Sequence, residues 1–389
     1  FLCGRTTIRR SLKWCKTHLE ELRKHMNLKY GIASPSTITR MLNGIDEELA
    51  LYAFMEWIGE IVESRNTHLA IDGKALCGAT EKTKGETTPM LLNVVETVRG
   101  LILAQLPVDS KTNEITAIPE LLKLLDISGS IVTIDAVGTQ TAIMEQIHEQ
   151  GGHFVLTVKK NQPEAYEEIH TFMDKLGAED LKRKKGEAMD PGMKEFLEKY
   201  EEISQMEKNR DRNEYRTCQI CKDASNLTKS QKEWPHVQSI GRIKQVRIPK
   251  EKDSQGNDVT PSKEEFLEKG SRRIPAPSAG EGAGKDVQCT ALISDLILTA
   301  EELGSIKRMH WSIENRLHHV LDDTFREDRS PAKKSRNNLS LIRKYAYNIL
   351  RLAMYETGLA NIMTEMMDCF CDNAALRERY VFQGIASLY

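Results

Sequence analysis

Between His68 and Lys159 the sequence reads as strand, strand, strand, helix, strand, helix, strand, and that order narrows the fold more than any other stretch. HLAIDGKAL (68–76) is a short apolar run carrying Asp72. MLLNVVETVRG (90–100) and LILAQLPV (101–108) meet at Arg99-Gly100, a tight connection that predicts an antiparallel hairpin. Glu114 to Leu125, rich in Ile and Leu, predicts a helix. IVTIDAVG (131–138) is a second buried-type strand, carrying Asp135, and after it come a helix over Gln140 to Gln150 and the strand HFVLTVK (153–159). Three consecutive strands followed by alternating helix and strand describe a mixed α/β sheet.

Asp72 and Asp135 each lie at or near the end of an apolar strand. One such Asp is commonly a turn former or helix cap. Two on strands of one sheet also make the arrangement that holds a hard divalent cation, since Mg²⁺ takes carboxylate oxygens from a rigid scaffold. Pattern alone leaves both readings open.

Downstream, SIKRMHWSIENRLHHVLDDTFRED (305–328) repeats apolar residues at helical spacing: Ile306, Met309, Ile313, Leu317, Val320 and Leu321. His310, Glu314 and His318, four apart, run along the edge of that face. A carboxylate there needs a cation or strong donors nearby. Pairing with Arg308 or Arg316 is the plain alternative. Asn337 to Tyr355 predicts a further amphipathic helix.

The remainder sets limits. No apolar run approaches the ~18 residues that cross a bilayer. Eight scattered cysteines in a chain rich in Lys and Glu favour a reducing cytoplasm over a disulfide framework. Cys218-x-x-Cys221 is a single pair without a second pair or a His at ligand spacing, which argues against zinc. A formal charge of −2 gives no whole-chain signal for nucleic acid, although phosphate contacts depend on local patches. Arg9-Arg10, Lys182 to Lys185, Arg272-Arg273, Lys333-Lys334-Arg336 and Arg343-Lys344 are such patches, each more often a solvated face. Residues 1–64 read as helical, with a start signal at Ser34-Pro35-Ser36 that fits either a helix-turn-helix or a plain helical hairpin. From Glu164 to Asp286 the chain turns highly charged and predicts loops and an inserted module, with strand-like pieces at Tyr215–Lys222 and Gln238–Ile248 and an irregular excursion at 250–287.

The phrases AIDGKAL, DSKTNEITAIPELLKLLDISGSIVTIDAVGTQ, LTVKKNQP and HWSIENRLHHVLDDTFRED together resemble the H-repeat-associated transposases of bacterial insertion sequences, a group of DDE transposases. The resemblance runs from about Leu2 to Leu350. It implies a ribonuclease-H-like mixed-sheet core, with core residues at 65–175, an insertion module at 176–295 and C-terminal helices completing the core at 296–389; the helical region at 1–64 is a candidate for DNA binding. Asp72, Asp135 and Glu314 match the family's three catalytic, metal-binding carboxylates. Two Mg²⁺ ions are implied, replaceable by Mn²⁺, with DNA ends and target DNA as partners of a homodimer or higher assembly. Lys159, Asn161, Gln162, His310, Asn315 and His318 are the candidate DNA contacts; turn formation or helix and core hydrogen bonding is their alternative. The chain departs from many relatives at His318-His319 and at Asp323, which adds a charge where they place an apolar side chain.

Three functions fit these features: an active transposase in the cytoplasm, a catalytically inactive or repurposed DNA-binding relative, and a general metal-dependent nuclease. Retention of all three carboxylates favours the first.

Overall fold

The computed structural model describes residues 1–76, 90–108, 114–208, 212–227, 234, 236–249, 251–252, 258–259, 287–330, 332 and 334–383. Most of the 250–287 excursion, Cys77, Lys333 and the Arg272-Arg273 patch lie outside them. The chain forms two compact units, Phe1–Ser130 with Met309–Tyr389, and Ile131–Arg308.

In the first unit β1 (His68–Ala75), β2 (Met90–Glu96) and β3 (Leu101–Val108) make an antiparallel array in the order β3-β2-β1. The hairpin predicted at Arg99-Gly100 is present, and Gly100 supplies the positive φ of 76° that an L side chain adopts at a cost. Register places Asp72 opposite Asn93, and Asn93 opposite Gln105, so three polar residues cross these apolar strands in one row. Helices α1 (Ile8–Thr17), α2 (Leu19–Leu22), α3 (Pro35–Gly44), α4 (Glu47–Gly59) and α5 (Glu114–Lys123) belong to this unit. The start signal at Ser34 is a true cap: its side chain accepts from Thr37 N–H, and Pro35 fills the first helical turn.

In the second unit β4 (Ile131–Ile134) runs parallel to β5 (His153–Val158). Beyond β5 the sheet continues through antiparallel strands, β6 (Tyr200–Lys208), β7 (Arg212–Cys221), β8 (Ser239–Pro249) and β11 (Val287–Ser294), in the order β5-β11-β8-β7-β6. A short antiparallel ribbon joins β9 (Glu251–Lys252) and β10 (Asp258–Val259). Helix α6 (Thr141–Glu149) links β4 to β5. The chain order of three strands, helix, strand, helix, strand is therefore the one expected, and the class is mixed α/β.

Three local expectations need correction. Residues after Glu164 are not loops: α7 (Pro163–Lys185) is a 23-residue helix, and α8 (Lys194–Glu198) follows it. Ala165, Ile169, Phe172, Met173 and Leu176 form α7's buried stripe. Each fully buried apolar side chain of the larger kinds contributes about 1.5–3 kcal/mol, enough for the stripe to override the charged outer face. Its basic end is paired rather than freely solvated: Lys182 bonds Glu179 at 2.7 Å, and Arg183 and Lys184 both engage Asp180. Second, EFLEKYEEISQMEKNRDR contributes α8 and β6. Third, Arg343 and Lys344 are buried within α10 (Arg336–Thr357). Cys218 and Cys221, three apart on β7, project to opposite faces as buried free thiols, so they do not share a ligand.

Helix α9 (Ala300–Ser312) packs on β8, where Gly241 leaves room for Leu303: a Cβ added at 241 would stand 2.3 Å from Leu303 Cδ2. In the first unit α10 closes over β3. The Asn348 side chain accepts from Ile102 N–H at 2.9 Å and donates to Ile102 C=O at 2.8 Å, doing for that residue what a neighbouring strand would. Two more helices, α11 (Met363–Asp372) and α12 (Ala374–Arg377), follow. Among the described residues no helix is long and apolar enough to cross a membrane.

Candidate active site

Glu314 lies where α9 changes type. Ile313–His318 and Val320–Thr324 are π-helical, with bonds such as Phe325 N–H to Val320 C=O spanning five residues. The sequence explains the change. Leu303, Ile306, His310 and Ile313 are buried at steps of three, four and three; Ile313, Leu317, Leu321 and Phe325 are buried at steps of four throughout. At about 100° per residue, three four-residue steps would rotate Phe325 some 120° away from Ile313 in an α-helix. Wider π turns absorb that excess and keep one face on the core. Val320, expected on that face, is only half-buried. Long π stretches are rare and concentrate at functional sites. Here the stretch leaves Glu314 and Asn315 exposed, buries His310 within α9, and half-buries His318. Asp323 is exposed, so its extra charge carries no burial cost.

On β1, Asp72 accepts from Gly73 N–H at 2.9 Å and faces His318, whose Nδ1 is 3.7 Å from Asp72 Oδ2. Burial pushes the His318 imidazole down to about 4, helped by the charges of Lys74 and Lys344. A neutral ring at that distance makes neither an ion pair nor a hydrogen bond with Asp72. Two residues further along β1, Lys74 is buried against Asp322, with Glu327 at 3.4 Å and Asp328 at 3.6 Å. Burial works against the charge on Lys74, and these carboxylates outweigh it, raising its pKa. Glu327, itself buried, is held below the usual carboxylate range: burial opposes its charge, and Lys344, Lys74 and Arg343 prevail. Burial brings Lys344 down to about 7, and its ammonium donates to Gln105. Lys74 and Glu327 did not stand out in the sequence, and Lys344 did so only as half of a basic patch, because each is ordinary until its distant partners are known.

Asp135 immediately follows β4 and opens a single 3₁₀ turn, Ala136–Gly138. Lys159, after β5, bonds its carboxylate at 2.8 Å. Burial favours the neutral acid, but the Lys159 bond, the Ala136 N–H and the Lys307 charge hold the pKa below the ordinary range. Lys307, not singled out from sequence, also donates to Thr157 at 2.9 Å. Asn161 donates to Ala136 C=O at 2.9 Å and Gln162 to Thr139 C=O, so the turn after β5 braces the Asp135 loop.

The donor chemistry fits a hard divalent cation. Asp72 and Asp135 are partly exposed, Glu314 is exposed, and all three offer oxygen. Among the described residues no three His, Cys, Asp or Glu side chains already converge as a metal cluster.

Residues 63–349 match the transposase DDE domain. YbfL of Escherichia coli (strain K12) is 29% identical over 340 residues, covering 86% of this chain and 78% of that protein. The "H repeat-associated putative transposase YhhI" of the same strain is 28% identical over 340 residues, with the same coverage of both. A solved piggyBac transposase synaptic complex with hairpin DNA aligns with 81% of this chain and 54% of that one at 12% identity, and its TM-score of 0.34 is too low to bear on fold or function. The domain match spans most of the chain and includes Asp72, Asp135 and Glu314, and the chain belongs to the DDE transposase family.

Proposed function

We propose that this chain cleaves the ends of a bacterial insertion sequence and transfers them to target DNA, with Asp72, Asp135 and Glu314 as its catalytic carboxylates. The observation that carries the reading is the family match over residues 63–349, a span that contains all three. The family uses divalent metal ions, and two Mg²⁺ ions, replaceable by Mn²⁺, are the proposed cofactor here. Bound ions supply Lewis-acid activation of the attacking and leaving oxygens. Asp135 contributes a carboxylate kept ionised by Lys159 and Lys307. Glu314 contributes one that its π-helical segment leaves exposed. Water attacks an end phosphodiester and the 3′-oxygen departs as a hydroxyl; that 3′-hydroxyl then attacks a target phosphodiester, forming a new P–O bond as the target strand's own 3′-oxygen leaves and takes up a proton.

DNA is the partner expected of a family member. Lys159 and Lys307 are the cations best placed to meet phosphate beside Asp135, while the α1 side chains of Arg9 and Arg10, exposed in the helical region 1–64, suit the flanking duplex. Two ends handled together require a homodimer or higher assembly, and the free described cysteines suit a cytoplasmic setting.

The test is nicking of a labelled duplex carrying the element's own ends, with Mg²⁺, by wild type and Asp135→Ala. End-specific nicking lost in the variant is the expected result. End binding without nicking by wild type, with Mn²⁺ also tried, would overturn the catalytic reading in favour of a DNA-binding relative.

A further inference from the structure

The buried ions of the first unit sit where charge is least welcome. Lys74, Arg343 and Lys344 are matched by Asp322, Glu327 and Asp328, three cations against three carboxylates. Lys74, Glu327, Arg343 and Lys344 are all buried. Such groups add little net stability over well-packed apolar side chains, while removing one partner is costly, so their value lies in fixing one arrangement. The arrangement fixed here surrounds Asp72.

Lys74 leaves β1 on the same face as Asp72, two residues on. The helix carrying Glu314 runs along that face in the same direction, with Met309 at Thr97 beside His68, His318 at Asp72, and Asp322 at Lys74. His68, Asp72 and Lys74 follow one another along one face of β1, and Met309, His318 and Asp322 follow one another along the helical segment beside them. The Lys74–Asp322 pair thereby fixes strand and helical segment one step beyond Asp72. From the other side, Lys344 holds Gln105, which ends the row Asp72–Asn93–Gln105 across the three strands.

We infer that this cluster is a positioning device for the metal-binding carboxylates of the first unit, with Lys74 and Asp322 as positioning residues. The inference rests on the metal reading above. Outer groups that orient ligands are worth about 10–100-fold in metal affinity.

The experiment uses the full chain and Mn²⁺ alone, with affinity read from water-proton relaxation. A charge-balanced double variant, Lys74→Met with Asp322→Asn, removes the lock without changing net charge. Expected is a protein that unfolds cooperatively and binds end DNA with wild-type affinity, yet binds Mn²⁺ about tenfold more weakly. A folded double variant with wild-type Mn²⁺ affinity would overturn the inference. Should the double variant not fold, Lys74→Arg decides: it keeps the charge but not the shape in a closed slot, and wild-type Mn²⁺ affinity there overturns the positioning role. Wild-type protein that binds no Mn²⁺ would sink the metal reading itself, and the inference with it.

Discussion

His318 presents Nδ1 to Asp72 Oδ2 at 3.7 Å while its Nε2 is buried with no hydrogen-bond partner among the described residues. A ring so placed resists protonation, and its folded-state pKa of about 4 lies below the ordinary 6.5. His68 and His170 are lowered to about 4 as well, again chiefly by burial. Between those values the unfolded chain binds more protons than the folded one. The stability contribution is thus fully present above the unfolded pKa and is lost as pH falls through the window toward 4. Urea midpoints taken from pH 7 to pH 4.5 should drop steeply. His318→Gln should flatten the slope by up to ~1.4 kcal/mol per pH unit. An unchanged slope would mean that His318 titrates normally.

Lys159 competes with any cation for Asp135. Lys159→Met should therefore tighten Mn²⁺ binding while weakening binding to end DNA, two changes in opposite directions that loss of folding would not produce. Isothermal titration with Mn²⁺ and a DNA-shift assay on the same preparation read both. Parallel losses in the two measurements would refute the competition.

Gly241→Ala tests the seat of α9 on β8. Its new Cβ would meet Leu303 Cδ2 at 2.3 Å and Gln219 C=O at 3.1 Å, so the helix has to shift. Overpacking of this kind costs about 1–3 kcal/mol. A lowered thermal midpoint is expected, with recovery when Leu303→Ala is added; additive losses in the double variant would place the strain elsewhere.

Asn348→Ala strips Ile102 of both side-chain bonds and leaves a buried N–H and C=O unpaired, each costing about 1–3 kcal/mol. A denaturant midpoint no lower than wild type would show that water or a rearranged strand satisfies them. Asn348→Asp, which keeps only the acceptor, should fall between the two.

Periodicity and turn residues made β1 to β5 and the intervening helices readable, and with them the place of Asp135 just after β4; Asp72, expected at or near a strand end, instead lies within β1, whose pairing with β2 continues through Ala75. Helix α7 was hidden by its own surface: Glu164, Lys175 and Lys182–Lys185 drew attention from the stripe through Ile169, Phe172 and Leu176. The π segment left a visible trace in the fours of Ile313, Leu317, Leu321 and Phe325, but counting Val320 with the core restored an α-helical period and obscured it. Arg343 and Lys344 read as a surface patch because a charge is solvated by default. Their burial follows only from Glu327 and Lys74, which no local window contains.

The double bond between Asn348 and Ile102 also sets an order of events during synthesis. Its partners are 246 residues apart, and at about 5–20 residues per second a ribosome takes on the order of ten to fifty seconds to deliver Asn348 after Ile102. The whole of Ile131–Arg308 leaves the ribosome within that interval. The second unit can reach its native state while the first still waits with an open strand edge, so the nascent chain completes its middle before its ends.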